Sequence, residues 1–344
     1  MSERSDLILS IVETIKEYRQ GEIPQPDYRH VDRWINQFDH TVQLPFLREF
    51  AYVIDKSFIT RDGIIDFLDG LVSNVELAGD SPSDYWSSVN FLNIQKDGVS
   101  QLEMLKLFDK SLRKNLDLKI ETCGNVSGDY LYLDDIMFSG NRAASDLEAW
   151  IANVAPQKAN LQVVMAVMYS SARDYLRRVR LNNAIKSSGK KIEIQYWCAL
   201  EIENQKTNRN NSGVYWPTVL PAQPEMTAYN AIQKFPFVPR NPGGKYDFFS
   251  TENGRQVLEN ELLIAGLKIR SQHSDPKPAL KPLGFGGFGV GFGATLATYR
   301  NCPNNAPLAI WWGEGATSGP FQWYPLLPRK TYSSPENVFK QIFE

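Results

Sequence analysis

The sequence predicts an α/β protein: a parallel sheet flanked by helices, preceded by a helical lobe and followed by an irregular cap. Three observations lead there. Apolar residues at helical spacing fill residues 1–80 with no strand pattern between them. Between 85 and 203 short apolar runs alternate with helical patterns, as in a sheet built from β–α–β units. From 204 to 344 prolines, glycines and aromatic residues interrupt any period. The expected domains are therefore 1–80 as a helical lobe, 85–203 as the α/β core and 204–344 as a cap packed on that core.

In the lobe, Leu7, Ile8, Ile11, Val12, Ile15 and Tyr18 share one helical face, with Ser5 placed to cap it. Gly21, Pro24 and Pro26 end that helix. Further helices are predicted over 27–38, 45–57 and 60–73. In the core, Val89, Phe91, Leu92 and Ile94 predict a strand, and a helix follows over 100–112, with Ser100 as its cap. Residues 116–122 alternate Leu116, Leu118 and Ile120 with Asp117, Lys119 and Glu121, the pattern of a half-buried strand. A third strand is expected over 130–133, a helix through Ile151, a strand covered on both faces over 161–168, and a strand over 192–200 that alternates partly with Glu193 and Gln195. A basic helix carrying Arg173, Arg177, Arg178 and Arg180 joins the last two. In the cap a single helix is predicted, over 251–269.

Composition narrows the classes. The chain has 344 residues, 42% hydrophobic and 22% charged, ordinary for a globular protein. No apolar run approaches the roughly 20 residues that span a bilayer, so no membrane partner is expected. The opening MSERSDLILS lacks a signal-peptide pattern, so the cytoplasm is the expected compartment. Three scattered cysteines, Cys123, Cys198 and Cys302, argue against a disulfide framework or a zinc site. With only His30, His40 and His273, a histidine-based metal cluster or hydrolase triad has little support. A net charge of −2 creates no general attraction for nucleic acid. Gly284, Gly286 and Gly289 formally match GxGxxG, but no strand precedes them and no helix opens within them, so no dinucleotide site is expected there.

The chemistry concentrates in YLYLDDIMFSGNRAASDLEAW, residues 130–150. A strand, two adjacent carboxylates, a small polar turn and a helix follow one another. A turn entering a helix presents free N–H groups and the positive end of the helix dipole, which suits a phosphate. Gly140 lets the backbone approach an anion. Asp134 and Asp135 suit sugar hydroxyls or a magnesium ion. The same pattern also serves as a plain helix start with solvated aspartates.

At LDDIMFSGN the sequence resembles the type I phosphoribosyltransferases, whose signature is an apolar strand, two acidic residues and a hydroxyl–glycine turn. Phe138 and Arg142 stand where that family usually has small hydroxyl residues. The order of elements from 85 to 200 extends the resemblance. It implies that Asp134 and Asp135 hold the ribose hydroxyls of phosphoribosyl pyrophosphate, with magnesium, and that Phe138, Ser139, Gly140, Asn141 and Arg142 hold its 5-phosphate. It also implies that Lys96, Asp97 and Gly98 meet the pyrophosphate, Lys96 foremost. One departure stands out. Only residues 123–129 are available for the mobile loop that closes over the site in many family enzymes. The cap is the other candidate lid.

A wider resemblance rests on HVDRWINQF, LDDIMFSGN, PNNAPLAIWW and WYPLLPR. It points to phosphoribosyltransferase-like effectors of bacterial conflict loci, including retrons, and implies a role in antiphage defence beside a reverse transcriptase and its RNA–DNA. Three functions stay open at this level. They are a transferase acting on phosphoribosyl pyrophosphate, a module that senses a nucleotide without catalysis, and a nucleic-acid-binding subunit using the arginines between 173 and 180.

Overall fold

The structure, a computed structural model, describes residues 2–96, 98–233, 237–244, 248–272, 277–286, 289–313 and 323–330. The chain begins with α1 (Glu3–Ile15), α2 (Tyr28–Ile35), α3 (Gln43–Ser57), the short strand β1 (Phe58–Ile59), α4 (Arg61–Val72), α5 (Val75–Ala78) and α6 (Pro82–Ser88). The central part comprises β2 (Asn90–Phe91), α7 (Ser100–Leu116), β3 (Tyr130–Met137), α8 (Asn141–Asn153), β4 (Lys158–Tyr169), α9 (Ser170–Tyr175), α10 (Leu181–Ser188) and β5 (Lys191–Ile202). Then follow α11 (Pro224–Ala231), α12 (Glu252–Ser271), β6 (Ala297–Thr298) and α13 (Leu308–Trp311). Two compact units result: residues 1–60 with 206–344, and residues 61–205. The later boundary, between 205 and 206, lies two residues from the expected one, whereas the earlier boundary falls after residue 60 and not after 80. The C-terminal segment groups with the first three helices, and α4–α6 group with the sheet.

The unit of residues 61–205 is α/β, as its alternation predicts. Its sheet runs β2-β3-β4-β5, every neighbour parallel. β4 is buried from Leu161 to Tyr169, which accounts for its near-continuous apolar sequence. β3 is longer than expected. Its ladder with β4 continues past the acidic pair to Met137↔Met168, so Asp134 and Asp135 lie within the strand and do not end it.

The strand expected over 116–122 does not form. α7 continues to Leu116, Asp117 turns left-handed at φ 55°, and Ile120–Thr122 make a 3-10 turn. Asp is among the few residues that visit this region readily. The Asp109 carboxylate accepts the Ile120 N–H at 2.9 Å and anchors the turn. An alternating run of six or seven residues fits a helix end equally well when no partner strand lies alongside. A doubly wound order of 2-1-3-4-5 with its second strand removed leaves the observed sequential sheet.

The connection at 123–129 is consequently tied to the amino edge of the sheet. Gly124 N–H donates to Ser87 O at 2.9 Å, Asn125 N–H to Ser88 O at 3.1 Å, and Asn90 Nδ2 to Asn125 O at 2.9 Å. A Cβ at Gly128 would lie 1.8 Å from Ser88 O, so only glycine allows this contact.

In the other unit, Ile8, Ile11 and Ile15 of α1 are fully buried, and α1 packs on α3. Ser2, not Ser5, caps α1, its Oγ accepting the Ser5 N–H. The Trp34 ring packs on Phe38, Phe46 and Phe50 at centroid distances of 5.3, 5.7 and 4.8 Å. The three motifs HVDRWINQF, PNNAPLAIWW and WYPLLPR meet here. Trp34 Nε1 and Trp323 Nε1 both donate to Ala309 O, at 2.8 and 2.9 Å. The two ring nitrogens of His30 lie 2.7 Å from Tyr324 Oη and 2.7 Å from Leu326 O. These motifs therefore form a packed joint between α2 and the late segment. β1 pairs in parallel with β6 in the same unit. No helix among the described residues is long and apolar enough to cross a membrane.

Candidate functional site at the carboxyl edge of the sheet

Ligands of open parallel sheets bind beyond the carboxyl ends of the strands. There β2 leads into Gln95 and Lys96, and β3 into the turn at Phe138, Ser139 and Gly140. The even-numbered side chains of β3 face α8: Tyr130 packs on Trp150 with centroids 5.1 Å apart, and Tyr132 Oη donates to Asp146 Oδ2 at 3.3 Å. Asp134 continues this row and is only 6% exposed. Gln95 Nε2 donates to Asp134 Oδ2 at 3.2 Å. Extended backbone directs Asp135 to the opposite face, where it is half-buried and accepts the Ile136 N–H at 2.7 Å.

Burial disfavours the ionised form of Asp134, and the neighbouring Asp135 charge adds to this, pushing its pKa up to about 7. Burial likewise raises the pKa of Asp146, while Arg142 favours the ionised form of both. A proton is thus readily held or released at Asp134 near neutral pH.

The turn has the geometry an anion cradle needs. Gly140 is left-handed, φ 71°, and a Cβ there would come within 3.2 Å of Leu176 Cδ1 and 3.4 Å of Ala172 O. The first helical bond of α8 is Ala144 N–H to Gly140 O, so the N–H groups of 141–143 precede the helical ladder. The Ser139 Oγ accepts one of them, that of Asn141, at 3.4 Å. Ser139, Asn141 and Arg142 are exposed, whereas Phe138 is half-buried against Tyr169, with centroids 5.3 Å apart. Leu176 opens a π-helical stretch, Leu176–Arg180, between α9 and α10. That local widening of the helix places Leu176 against the glycine turn.

The strand–helix turn after β2 reaches the same place. Lys96 is exposed, and its backbone N–H donates to Asp146 Oδ1 at 3.4 Å. Gly98 has φ 102°, and a Cβ on it would lie 3.4 Å from Arg142 Nη1. Asp97 lies outside the described residues. The structure therefore brings Lys96, Gly98, Asp134 and Arg142 together around Asp146, and sets Asp135 on the other face of β3.

Asp146 and Gln95 are the residues that motif reading misses. Asp146 had a signal. It sits three residues after Ala143 and four before Trp150, on the apolar stripe of its helix, and is 3% exposed. A carboxylate on such a stripe is seldom there for packing. Gln95 had none, since its role depends on a bond to a residue on another strand.

A model of the PRTase-CE family matches residues 31–329. The chain belongs to the PRTase-CE family. It is accordingly a phosphoribosyltransferase-like protein, and the matched span includes the whole carboxyl-edge site and, apart from His30, the aromatic joint. No curated protein and no solved structure matches the chain.

Magnesium was expected at the acidic pair. Among the described residues no group of three or more Asp, Glu, His or Cys side chains is arranged to hold a metal. Magnesium commonly takes one or two carboxylates and completes its shell with substrate phosphates and water. Of the acidic pair only Asp134 faces the site, and it fits that role only for an ion carried on a phosphorylated ligand. Of the four arginines between 173 and 180, three are engaged with carboxylates. Arg173 pairs with Glu201, Arg178 with Asp174 at 3.4 Å, and Arg180 with Glu148 through bonds of 2.6 and 2.7 Å.

Proposed function

We propose that the carboxyl edge of this sheet binds phosphoribosyl pyrophosphate or a related nucleotide and transfers or hydrolyses its phosphoribosyl group. The observation that carries this reading is the left-handed Gly140 turn. It opens free N–H groups and Arg142 beside a buried carboxylate whose pKa lies near neutrality. In this reading residues 138–142 bind the 5-phosphate and Asp134 meets the sugar, while Asp135, on the other face of β3, acts through its charge on Asp134. Lys96 and Gly98 meet the departing pyrophosphate, with Asp146 holding their turn in place. Magnesium bound to the pyrophosphate would offset its charge as it leaves. Positioning and charge stabilisation would supply most of the acceleration. The resemblance carried by HVDRWINQF, PNNAPLAIWW and WYPLLPR supports a setting in antiphage defence, with a reverse transcriptase and its RNA–DNA as partners.

A second reading, a sensor without catalysis, draws on one feature. Residues 123–129 are bound to the amino edge and so do not serve as the closing loop that shields glycosyl transfer from water in many relatives of this type. Calorimetric titration with phosphoribosyl pyrophosphate and magnesium tests the site. Binding is expected in the wild type and at least tenfold weaker in Arg142→Ala, and equal affinity would remove the turn from the site. Pyrophosphate release, measured with and without nucleobase, nucleic-acid and protein acceptors, then separates transferase from sensor.

A further inference from the structure

Among the described residues of the unit that contains α12, Arg240, Arg255, Arg270 and Lys281 are buried cations, and the first two are paired with carboxylates. Arg240 and Arg255 are 2% and 0% exposed and share the buried Glu259, with bonds of 2.9 Å from Arg240 Nη2 and 2.8 Å from Arg255 Nε. Arg270, near the end of α12, and Lys281 are 6% and 5% exposed. Among the described residues neither is paired with a carboxylate. Arg270 Nη1 donates to the carbonyls of Lys277 and Leu280. Lys281 Nζ donates to Gln233 Oε1 at 2.6 Å. Both cations lie against one ring, that of Tyr229, at 5.4 and 5.7 Å from its centroid. The ring is itself held by a 2.8 Å bond from Tyr229 Oη to Gly289 O.

This arrangement is costly for the protein alone. Removing a charge from water without a partner of opposite sign is strongly unfavourable, and a cation–π contact returns only a small part of that. Burial favours the neutral forms of Arg270 and Lys281, and the Arg270 charge adds to the effect on Lys281. The Lys281 stem is also confined: a Cβ at Gly291 would approach Lys281 Cβ to 2.7 Å, so glycine backbone packs directly on it. Among the described residues, Nε and Nη2 of Arg270 have no acceptor, and Lys281 Nζ keeps two further donors.

We infer that Arg270, Lys281, Gln233 and Tyr229 form an anion site that takes the phosphate or diphosphate group of a small ligand. An arginine fork and an ammonium beside one aromatic ring supply the donors usually used to recognise such a group. The bound anion supplies the negative charge that Glu259 supplies for the other two arginines. The site is independent of the proposed phosphoribosyl reading, since it uses none of residues 95–146. The diphosphate has two sources, the free anion or a nucleotide.

Titration and thermal melting of the full-length protein with pyrophosphate, ATP and adenosine test this, using wild type, Lys281→Met, Lys281→Gln and Arg142→Ala. Without anion, at least one Lys281 variant is expected to melt at or above the wild-type temperature, because an uncompensated charge is gone. Both variants should lose at least tenfold in affinity for pyrophosphate at one site, and Arg142→Ala should keep that site. If ATP binds there more tightly than pyrophosphate while adenosine does not bind, the ligand is a nucleotide. If pyrophosphate binds as well as ATP, the free anion suffices. The inference is overturned if both Lys281 variants keep wild-type affinity for both anions. It is equally overturned if both melt below wild type without anion, or if Arg142→Ala alone abolishes all anion binding.

Discussion

Asp134 is a buried carboxylate whose ionisation the folded protein disfavours. Its folded pKa of about 7 lies above the ordinary 3.8. The folded state therefore binds this proton more tightly than the unfolded state. Its contribution is greatest at low pH and is lost as pH rises from about 4 through about 7. Urea denaturation of Asp134→Asn should show a flatter pH profile than wild type and, at pH 8, a gain of up to about 4 kcal/mol. A profile with the wild-type slope would place the titration elsewhere. At Gly140 the sequence alone suggests that Gly140→Val disturbs ligand binding with little effect on folding. The structure revises that. Valine at φ 71° beside Leu176 Cδ1 should also cost about 1–3 kcal/mol of stability, seen as a lower urea midpoint. The acidic pair and the glycine turn were legible because they lie within nine consecutive residues, 134–142. Asp146 was not, because it is 50 residues from the Lys96 amide it accepts, and only the folded chain brings them together.

At the scale of elements, apolar periodicity was a sound guide wherever burial enforces it. α1–α4, α7, α8 and α12 lie where their stripes predict, within a few residues at each end. The failure at 116–122 has a physical cause. Two leucines and an isoleucine alternating with charged residues cost little to place at a helix end, and no neighbouring strand was there to reward extension. The left-handed Asp117 gives a direct check. Asp117→Gly removes the Cβ penalty at that position and should stabilise the unit of residues 61–205 by about 0.5–1 kcal/mol in urea denaturation. Destabilisation would argue that 116–122 is extended after all. The late segment was opaque for another reason. Its ordering comes from Trp34, Trp323 and Glu259, whose contacts span the chain and leave no local period. Glu259→Gln should cost about 3–5 kcal/mol, since it leaves Arg240 and Arg255 buried with too little negative charge. The thermal midpoint of that variant is the measurement.

At the scale of the molecule, the candidate site belongs entirely to residues 61–205, while the other unit is assembled from both ends of the chain. A fragment spanning 61–205 should therefore fold cooperatively and keep its phosphoribosyl-ligand affinity within a few-fold, checked by denaturation and calorimetry. A fragment of 1–205 should instead aggregate, because Trp34 loses its carbonyl partner and the aromatic face of α2 and α3 loses its cover. If 61–205 is unfolded alone, the two units depend on each other. The stitched unit also has a consequence during synthesis. Its first 60 residues leave the ribosome long before Ala309 and Trp323 exist. At ordinary elongation rates the wait is roughly 15–50 s. Throughout it, the aromatic face of α2 and α3 is a target for chaperones and proteases, while the sheet unit is completed once residue 205 has been added. A ribosome that stalls after residue 205 would release a chain with the whole candidate site formed and its quality-control signal still showing.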